Sequence, residues 1–506
     1  MQTKTLRTAE NQVLSDSEPS LPVAAPLDPE DWESLKVLGH RMIDDMLDHL
    51  RTLRERPVWQ PVPTDVSRRL ETAAAEEGIG AERAYEEFLR DVLPYSTGNT
   101  HPRFWGWVIG SGTPLGALSD LLAASMNATV SGLRGSAPLV EDQVLGWLQQ
   151  LLGLPSTGSG LLTSGASMAN IIGLAGAIDF RAGTDIGRTG LALAARRPVL
   201  YASDQVHLSV EKGVKLLGLG TESMRRIPVD SNYRIDVDRL QKAIEDDLVV
   251  GLHPFCIVAN AGTVNTGAFD DFQVLADLAE HHNLWLHVDG AFGALASLDA
   301  GSRHLVAGIE RADSLAFDLH KWMIMPIEAG AVLFKDRQTQ LGAFTTKASY
   351  VSKMPGGIGE DGTSHTDRGL QMSRNFRALK IWMTIKAHGV APYRELVKRN
   401  IAQARYLAQR IEETDHLELL APVPLNIVCF RYRKVGLNRD RLNEINRDIV
   451  VALQERGIAA PSHTFLDERF AIRACFVNHR TTLDDIDVLV ASVLDLGREM
   501  SNERTS

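Results

Sequence analysis

The chain runs to 506 residues, 44% hydrophobic and 23% charged, with 53 basic against 64 acidic side chains and a formal charge of −11. That is enough apolar material for a large core shared among more than one domain, and the acidic balance argues against a nucleic-acid face. No apolar run is long enough to span a membrane, no apolar leader follows the polar start MQTKTLRTAENQ, and Cys256, Cys429 and Cys475 form no CxxC or metal pattern, which suits a cytoplasmic setting.

Residues 1–27 are polar and rich in Pro and Ser, and read as a flexible tail. An N-terminal helical segment is expected over 28–100. It opens in LDPEDW, where Asp28 caps and Pro29 takes the first helical position. Trp32, Leu35, Leu38, Met42, Met46 and Leu50 then recur at helical spacing, an apolar stripe for the chain itself or for a partner subunit. A large domain is expected over 101–385. In it short apolar runs at 197–203, 255–260, 284–289 and 314–319 alternate with helical stretches at 166–180 and 274–281. This is the β-α-β rhythm of an α/β sheet covered by helices, in which ligands gather at the carboxyl ends of strands. Residues 343–369, rich in Gly and polar groups, read as a long functional loop. A helix beginning RNFRALKIW leads to a smaller C-terminal α+β domain, 386–506. There helices at 393–413, 439–456 and 482–499 surround the strands LNIVCFRYR and FAIRACFV.

The chemistry-bearing residues sit at strand–helix junctions. Gly165, Ala166 and Ser167 open a helix, where backbone N–H groups suit an anion. His207 follows the first run, Asp289 ends HVD, and Lys321 follows Asp318 and His320 among Trp, Met, Ile and Met. Each has an ordinary structural alternative: small-residue packing, a core histidine, a turn-capping aspartate, a snorkelling lysine. In combination, an anion cradle, a flat imidazole, a carboxylate and a lysine that must lose its proton or find a partner meet the needs of pyridoxal 5′-phosphate. Its phosphate needs N–H donors, its ring nitrogen an anion, and its aldehyde an amine.

The segments HPRFWGWV, SGASMANIIGL, SDQVHLSVEKG, VANAGTVNTGAFDD, LWLHVDGAFG, DSLAFDLHKWMIMP and SRNFRALKIW resemble the group II pyridoxal-phosphate-dependent amino acid decarboxylases, which act on aromatic amino acids, glutamate and histidine. The resemblance implies the fold-type-I aminotransferase-like architecture, with a mixed sheet of the seven-stranded type in the large domain, and a homodimer with shared active sites. It implies that Lys321 bonds the cofactor aldehyde, Asp289 faces the ring nitrogen, His207 stacks on the ring, Ala291 lies against it and Thr263 lies near it. Gly165, Ala166, Ser167 and His320 match the phosphate site. The family's Asn two residues before the histidine is here Asp318, which is expected to turn aside or to bond backbone donors. Tyr350, in the long loop, matches the tyrosine that protonates the product carbon and that aldehyde synthases often replace by Phe. Trp107 and Val108 match the substrate side-chain pocket. Arg374 is expected either to bind the substrate carboxylate or to brace the loop. The implied reaction is decarboxylation of an L-amino acid, aromatic first, with an acidic substrate (Arg134 its candidate partner), an aldehyde synthase and a non-catalytic relative as alternatives. No metal is implied.

Overall fold

The computed structural model describes residues 27–131, 133–182, 186–346, 357–358 and 365–502. Its centre is a seven-stranded sheet. The order across it is Ser159–Thr163, Gly330–Phe334, Ser314–Asp318, Trp285–Asp289, His253–Asn260, Pro198–Ser203 and Met224–Ile227. Only Gly330–Phe334 runs against the rest. The strands read as nearly continuous apolar runs because helices cover both faces of the sheet, as parallel sheets require. The expected runs at 197–203, 255–260, 284–289 and 314–319 all appear as strands, shifted by no more than two residues at either end.

The helix Ala166–Arg181 crosses the sheet on small residues. A Cβ at Gly176 would lie 2.7 Å from the Phe334 ring, and one at Gly173 would lie 2.5 Å from His287 Cε1. These glycines cost helix stability but let the helix sit directly on the strands. On the sheet's other side, Phe272–His282 is capped by Asp271, whose side chain accepts from Val274 N, and closes on Asn283 in the left-handed region.

The first helix begins at Trp32, three residues later than LDPEDW suggested, and Asp31 is its cap. Asp31 accepts from the N–H groups of Glu33 and Ser34 at 3.0 and 3.2 Å, so it satisfies two donors that Asp28 is too far upstream to reach. Along this helix only Leu38 is buried, while Trp32, Leu35, Val37 and Leu47 stay exposed.

The C-terminal part forms a five-stranded sheet in the order Phe104–Trp105, Ala460–Leu466, Arg469–Cys475, Ile427–Tyr432, Leu417–Leu419. The helices Ala391–Glu412, Arg439–Glu455 and Leu483–Asn502 pack on it. Its edge strand comes from far upstream: Phe104 and Trp105 pair parallel with Ala460 and Pro461, and Trp105 joins the small domain's core. This pairing carries the HPRFWGWV segment between the two sheets. Most of the loop at 343–369, Tyr350 included, lies outside the described residues. No described helix is long and apolar enough to cross a membrane.

Candidate active site

The carboxyl ends of the parallel strands place the expected residues side by side. Asp289 is the last residue of its strand, in register with Asn260 on one side and Ala316 on the other. Lys321 follows Asp318 by three residues, and Gly165 follows Thr163 by two. His207 caps the helix Leu208–Leu216 just beyond Ser203, its Nδ1 accepting from Ser209 N. Lys321, Asp289 and Asp318 all act electrostatically on the His207 ring. Burial outweighs the two carboxylates and holds the His207 pKa below the usual imidazole value.

Lys321 finds a partner. Its Nζ lies 3.1 Å from Asp318 Oδ2, in a pair where the carboxylate is nearly buried and the amine side chain is 19% exposed. The other Asp318 oxygen accepts the Ala166 N–H at 2.6 Å, at the start of the helix Ala166–Arg181. Asp318 thus bonds a backbone donor, as its position beside an anion cradle demands, and it takes one of that cradle's own N–H groups.

His320 is hydrogen-bonded to Ala329 through both its backbone and its ring. Ala329 O accepts from both Leu319 N and His320 N, and Ala329 N–H points at His320 Nδ1 at 3.1 Å. Burial lowers the His320 pKa. A Cβ at Gly165 would lie 3.2 Å from His320 Cε1 and 3.5 Å from Asp318 Oδ1, so a glycine there keeps the space before the helix clear.

Asp289 is buried and doubly bonded, Oδ1 by Ala291 N at 3.2 Å and Oδ2 by Asn170 Nδ2 at 2.9 Å. Ala291 returns its carbonyl to Asp318 N. Thr263 is buried in its own turn, where Oγ1 accepts from Ala268 N at 3.1 Å and lies 3.0 Å from Thr266 Oγ1.

The backbone just after HPRFWGWV, at Gly110, closes on the lysine's own backbone. A Cβ at Gly110 would lie 2.2 Å from His320 O and 2.3 Å from Lys321 O, an approach only glycine permits. Val108 is buried, whereas Trp107 is 54% exposed and held at φ +48. That left-handed conformation costs a non-glycine residue roughly 1–2 kcal/mol. Arg473 holds it by donating from Nη1 to Trp107 O at 2.8 Å while its Nε donates to Asn265 O at 3.1 Å.

Arg374 does not join this cluster. Its side chain and that of Glu141 are wholly buried against each other, Nη1 reaching the two carboxylate oxygens at 2.7 and 3.0 Å and Leu162 O at 3.0 Å. Burial pulls the guanidinium pKa down against Glu141, which raises it. Its Nε and Nη2 have no partner among the described residues but are sealed in the interior, so the geometry favours a bracing role over contact with a substrate carboxylate.

Several residues escaped the sequence reading. Asn170, His287, Ser209 and Ser314 form a connected network under Asp289. His287 was open to detection, because strand alternation puts Trp285, His287 and Asp289 on one face. Asn170 lies one helical turn beyond Ala166, on the same face. Arg473 and Asn265 come from distant segments, and no local pattern marks them.

The donor set fits pyridoxal phosphate. The cluster offers an amine, a buried carboxylate with lone pairs to spare, a flat imidazole, and a helix N-terminus kept open by Gly165. Among known proteins, the chain is 34% identical over 475 residues to an aromatic-L-amino-acid decarboxylase of Bacillus atrophaeus, covering 93% of this chain and 96% of that one. It is 27% identical over 464 residues to a phenylacetaldehyde synthase of Petunia hybrida, covering 88% and 90%. The solved structure of Oryza sativa TDC with PLP and tryptamine superposes with a TM-score of 0.87 at 26% identity, over 94% of this chain and all of that one. Residues 63–433 match the pyridoxal-dependent decarboxylase conserved domain, and the chain belongs to that family of pyridoxal-phosphate enzymes.

Proposed function

We propose that this enzyme removes CO2 from an aromatic L-amino acid and releases the corresponding amine. The observation that carries the chemistry is the placing of Lys321, His207 and the buried Asp289 beyond strands of one sheet and within electrostatic reach of one another. The aromatic substrate is supported by the relative in Bacillus atrophaeus, which covers nearly the whole chain.

Pyridoxal phosphate, when bound, supplies an aldehyde for an amine and an electron-poor ring that accepts the electrons of a broken bond at the substrate α-carbon. Lys321 would supply the amine that holds the aldehyde. Asp289, whose oxygens accept from Ala291 N and Asn170 Nδ2, would hold a proton on the ring nitrogen. His207, Ala291 and Thr263 would hold the ring. The first-turn N–H groups at Gly165, Ala166 and Ser167 hold the phosphate together with His320, in competition with Asp318 for the Ala166 donor. Trp107 and Val108 receive the substrate side chain, and Tyr350 returns a proton to the α-carbon.

The same reading makes the enzyme a homodimer in which Tyr350 serves the partner's site. The exposed apolar residues of the helix Trp32–Arg51 support a second copy. Three buried free cysteines support a cytoplasmic setting.

The test is a screen of amine and CO2 release across the standard amino acids with the cofactor-loaded enzyme. Borohydride reduction and peptide mapping accompany it. Release from Trp, Tyr or Phe with the reduced label on Lys321 is expected. Release from Glu or Asp instead would move the substrate to the acidic class, and a label on any other lysine would overturn the site.

A further inference from the structure

The hydrogen bonds beneath Asp289 run in one direction only. Trp285 Nε1 has a proton to give and no lone pair to offer, and it donates to Ser314 Oγ at 2.8 Å. Ser314 Oγ lies 2.7 Å from His287 Nδ1, and His287 Nε2 lies 2.9 Å from Asn170 Oδ1. Asn170 Nδ2 donates to Asp289 Oδ2 and to Ser209 Oγ, each at 2.9 Å. Ser209 Oγ lies 2.7 Å from His207 Nδ1, and Ser209 N–H donates to that same nitrogen at 3.3 Å. Asn170, His287 and Ser314 are all buried, and Gly173 clears the space that the His287 ring occupies.

An ionised carboxylate only accepts. With Asp289 ionised, Asn170 must turn its NH2 group toward it and its Oδ1 toward His287. His287 must then carry its proton on Nε2, and Ser314 must give its hydroxyl proton to Nδ1 while accepting from Trp285. The second Asn170 proton occupies a Ser209 lone pair, so the Ser209 hydroxyl proton goes to His207 Nδ1. The Ser209 backbone N–H makes the same demand. His207 therefore carries its own proton on Nε2, away from the chain.

The opposite arrangement fails at both ends. A reversed Asn170 would set Oδ1 against Asp289, which needs a proton on that carboxyl. His287 would need Nδ1–H, leaving the Ser314 hydroxyl proton without an acceptor among the described residues. His207 Nδ1–H would oppose the Ser209 backbone N–H. Full burial also keeps His287 neutral near pH 7, its pKa pushed down to about 4.

We propose that Asn170, backed by His287, Ser314 and Trp285, is the positioning residue that holds Asp289 as a hydrogen-bond acceptor and, through Ser209, fixes the proton of His207 on Nε2. The proposal rests on the assignment of Asp289 and His207 to the cofactor ring. It adds residues that touch neither cofactor nor substrate. In this arrangement the His287 tautomer reports which way the Asn170 amide faces Asp289.

The test is 15N NMR of the full chain, labelled at histidine and loaded with pyridoxal phosphate. Protonated and unprotonated ring nitrogens are well separated in 15N shift. His207→Gln and His287→Gln assign the two rings by loss of signal. Both rings are expected in a single Nε2–H form. In Asn170→Ala, His287 is expected to divide between both tautomers, and the His207 Nδ1 resonance is expected to move as the Ser209 hydroxyl is released. An Nδ1–H form at either ring of the unsubstituted enzyme would overturn the proposal, whether or not Asn170→Ala folds. Unchanged rings in a folded Asn170→Ala would do the same. If the tautomers are as stated but no amine forms from any amino acid, the network stands and the substrate reading falls.

Discussion

Asp318 Oδ2 and Lys321 Nζ lie 3.1 Å apart, while the other Asp318 oxygen is bound to the Ala166 N–H. The protein's own carboxylate therefore stands at the helix N-terminus proposed for a phosphate, and like charges in such a site repel. Asp318 also ties up the Lys321 Nζ that an aldehyde would need. Asp318→Asn keeps an acceptor for Ala166 and removes both effects. We expect pyridoxal phosphate to bind about tenfold more tightly, roughly 1.4 kcal/mol, as followed by fluorescence titration. Equal or weaker affinity in a folded variant would show that the carboxylate helps to hold the cofactor.

Gly173 tests the packing under the site. Alanine there has the better helix propensity by about 1 kcal/mol. Its Cβ, however, would fall 2.5 Å from His287 Cε1 and 2.6 Å from Nδ1, inside a fully buried ring. Overpacking of this kind costs roughly 1–3 kcal/mol, so Gly173→Ala should lower the urea midpoint. Gly146, with nothing within 4 Å of an added Cβ and also in a helix, is the control, and Gly146→Ala should raise the midpoint slightly.

Arg374 and Glu141 form an ion pair with neither side chain exposed. Removing one partner of such a pair strands a buried charge, at a cost of about 3–5 kcal/mol. Arg374→Ala should therefore lose stability by that order in chemical denaturation. The double replacement Arg374→Met with Glu141→Leu should recover most of it. If Arg374→Lys instead kept its stability and raised KM many-fold, the guanidinium would be a substrate ligand after all.

The layout of the large domain was readable because its strands are buried on both faces and so appear as uninterrupted apolar runs. Asp289 and Lys321 were readable as candidates because they lie at or just beyond the carboxyl ends of those runs. What stayed hidden has a common cause. Phe104–Trp105 is a two-residue strand whose partner, Ala460–Pro461, is more than 350 residues away, and nothing local marks such a pairing. Arg374 stayed open between ligand and brace because its partner Glu141 lies 233 residues away in sequence. Asp31 rather than Asp28 caps the first helix because both can cap, and only the geometry of Glu33 N and Ser34 N decides.

In the proposed mechanism Tyr350 separates the two chemistries found among the relatives. There it returns a proton to the product carbon, and the resemblance implies that aldehyde synthases often carry Phe at this place. Tyr350→Phe should lower amine release and raise aldehyde, ammonia and peroxide, with consumption of oxygen. An oxygen electrode coupled to aldehyde detection reads this directly. A variant that still makes amine at the original rate, with no oxygen uptake, would remove Tyr350 from the mechanism.

His287 predicts how the fold fails in acid. Its ring is fully buried and neutral, and burial drives its pKa from 6.5 to about 4 against the opposing pull of Asp289. The unfolded chain therefore binds a proton that the folded chain refuses throughout this interval. Stability must fall as pH drops below about 6.5 and level off below about 4. Between pH 7.5 and 5 this one ring should withdraw on the order of 2 kcal/mol. His101, lowered to about 4, and His479, lowered to about 3, add to the same trend. Urea midpoints measured across this range should fall steadily. In His287→Gln the baseline stability changes, but the slope against pH should flatten by the share of that single ring. An unaltered slope would mean that position 287 does not refuse a proton in the folded protein.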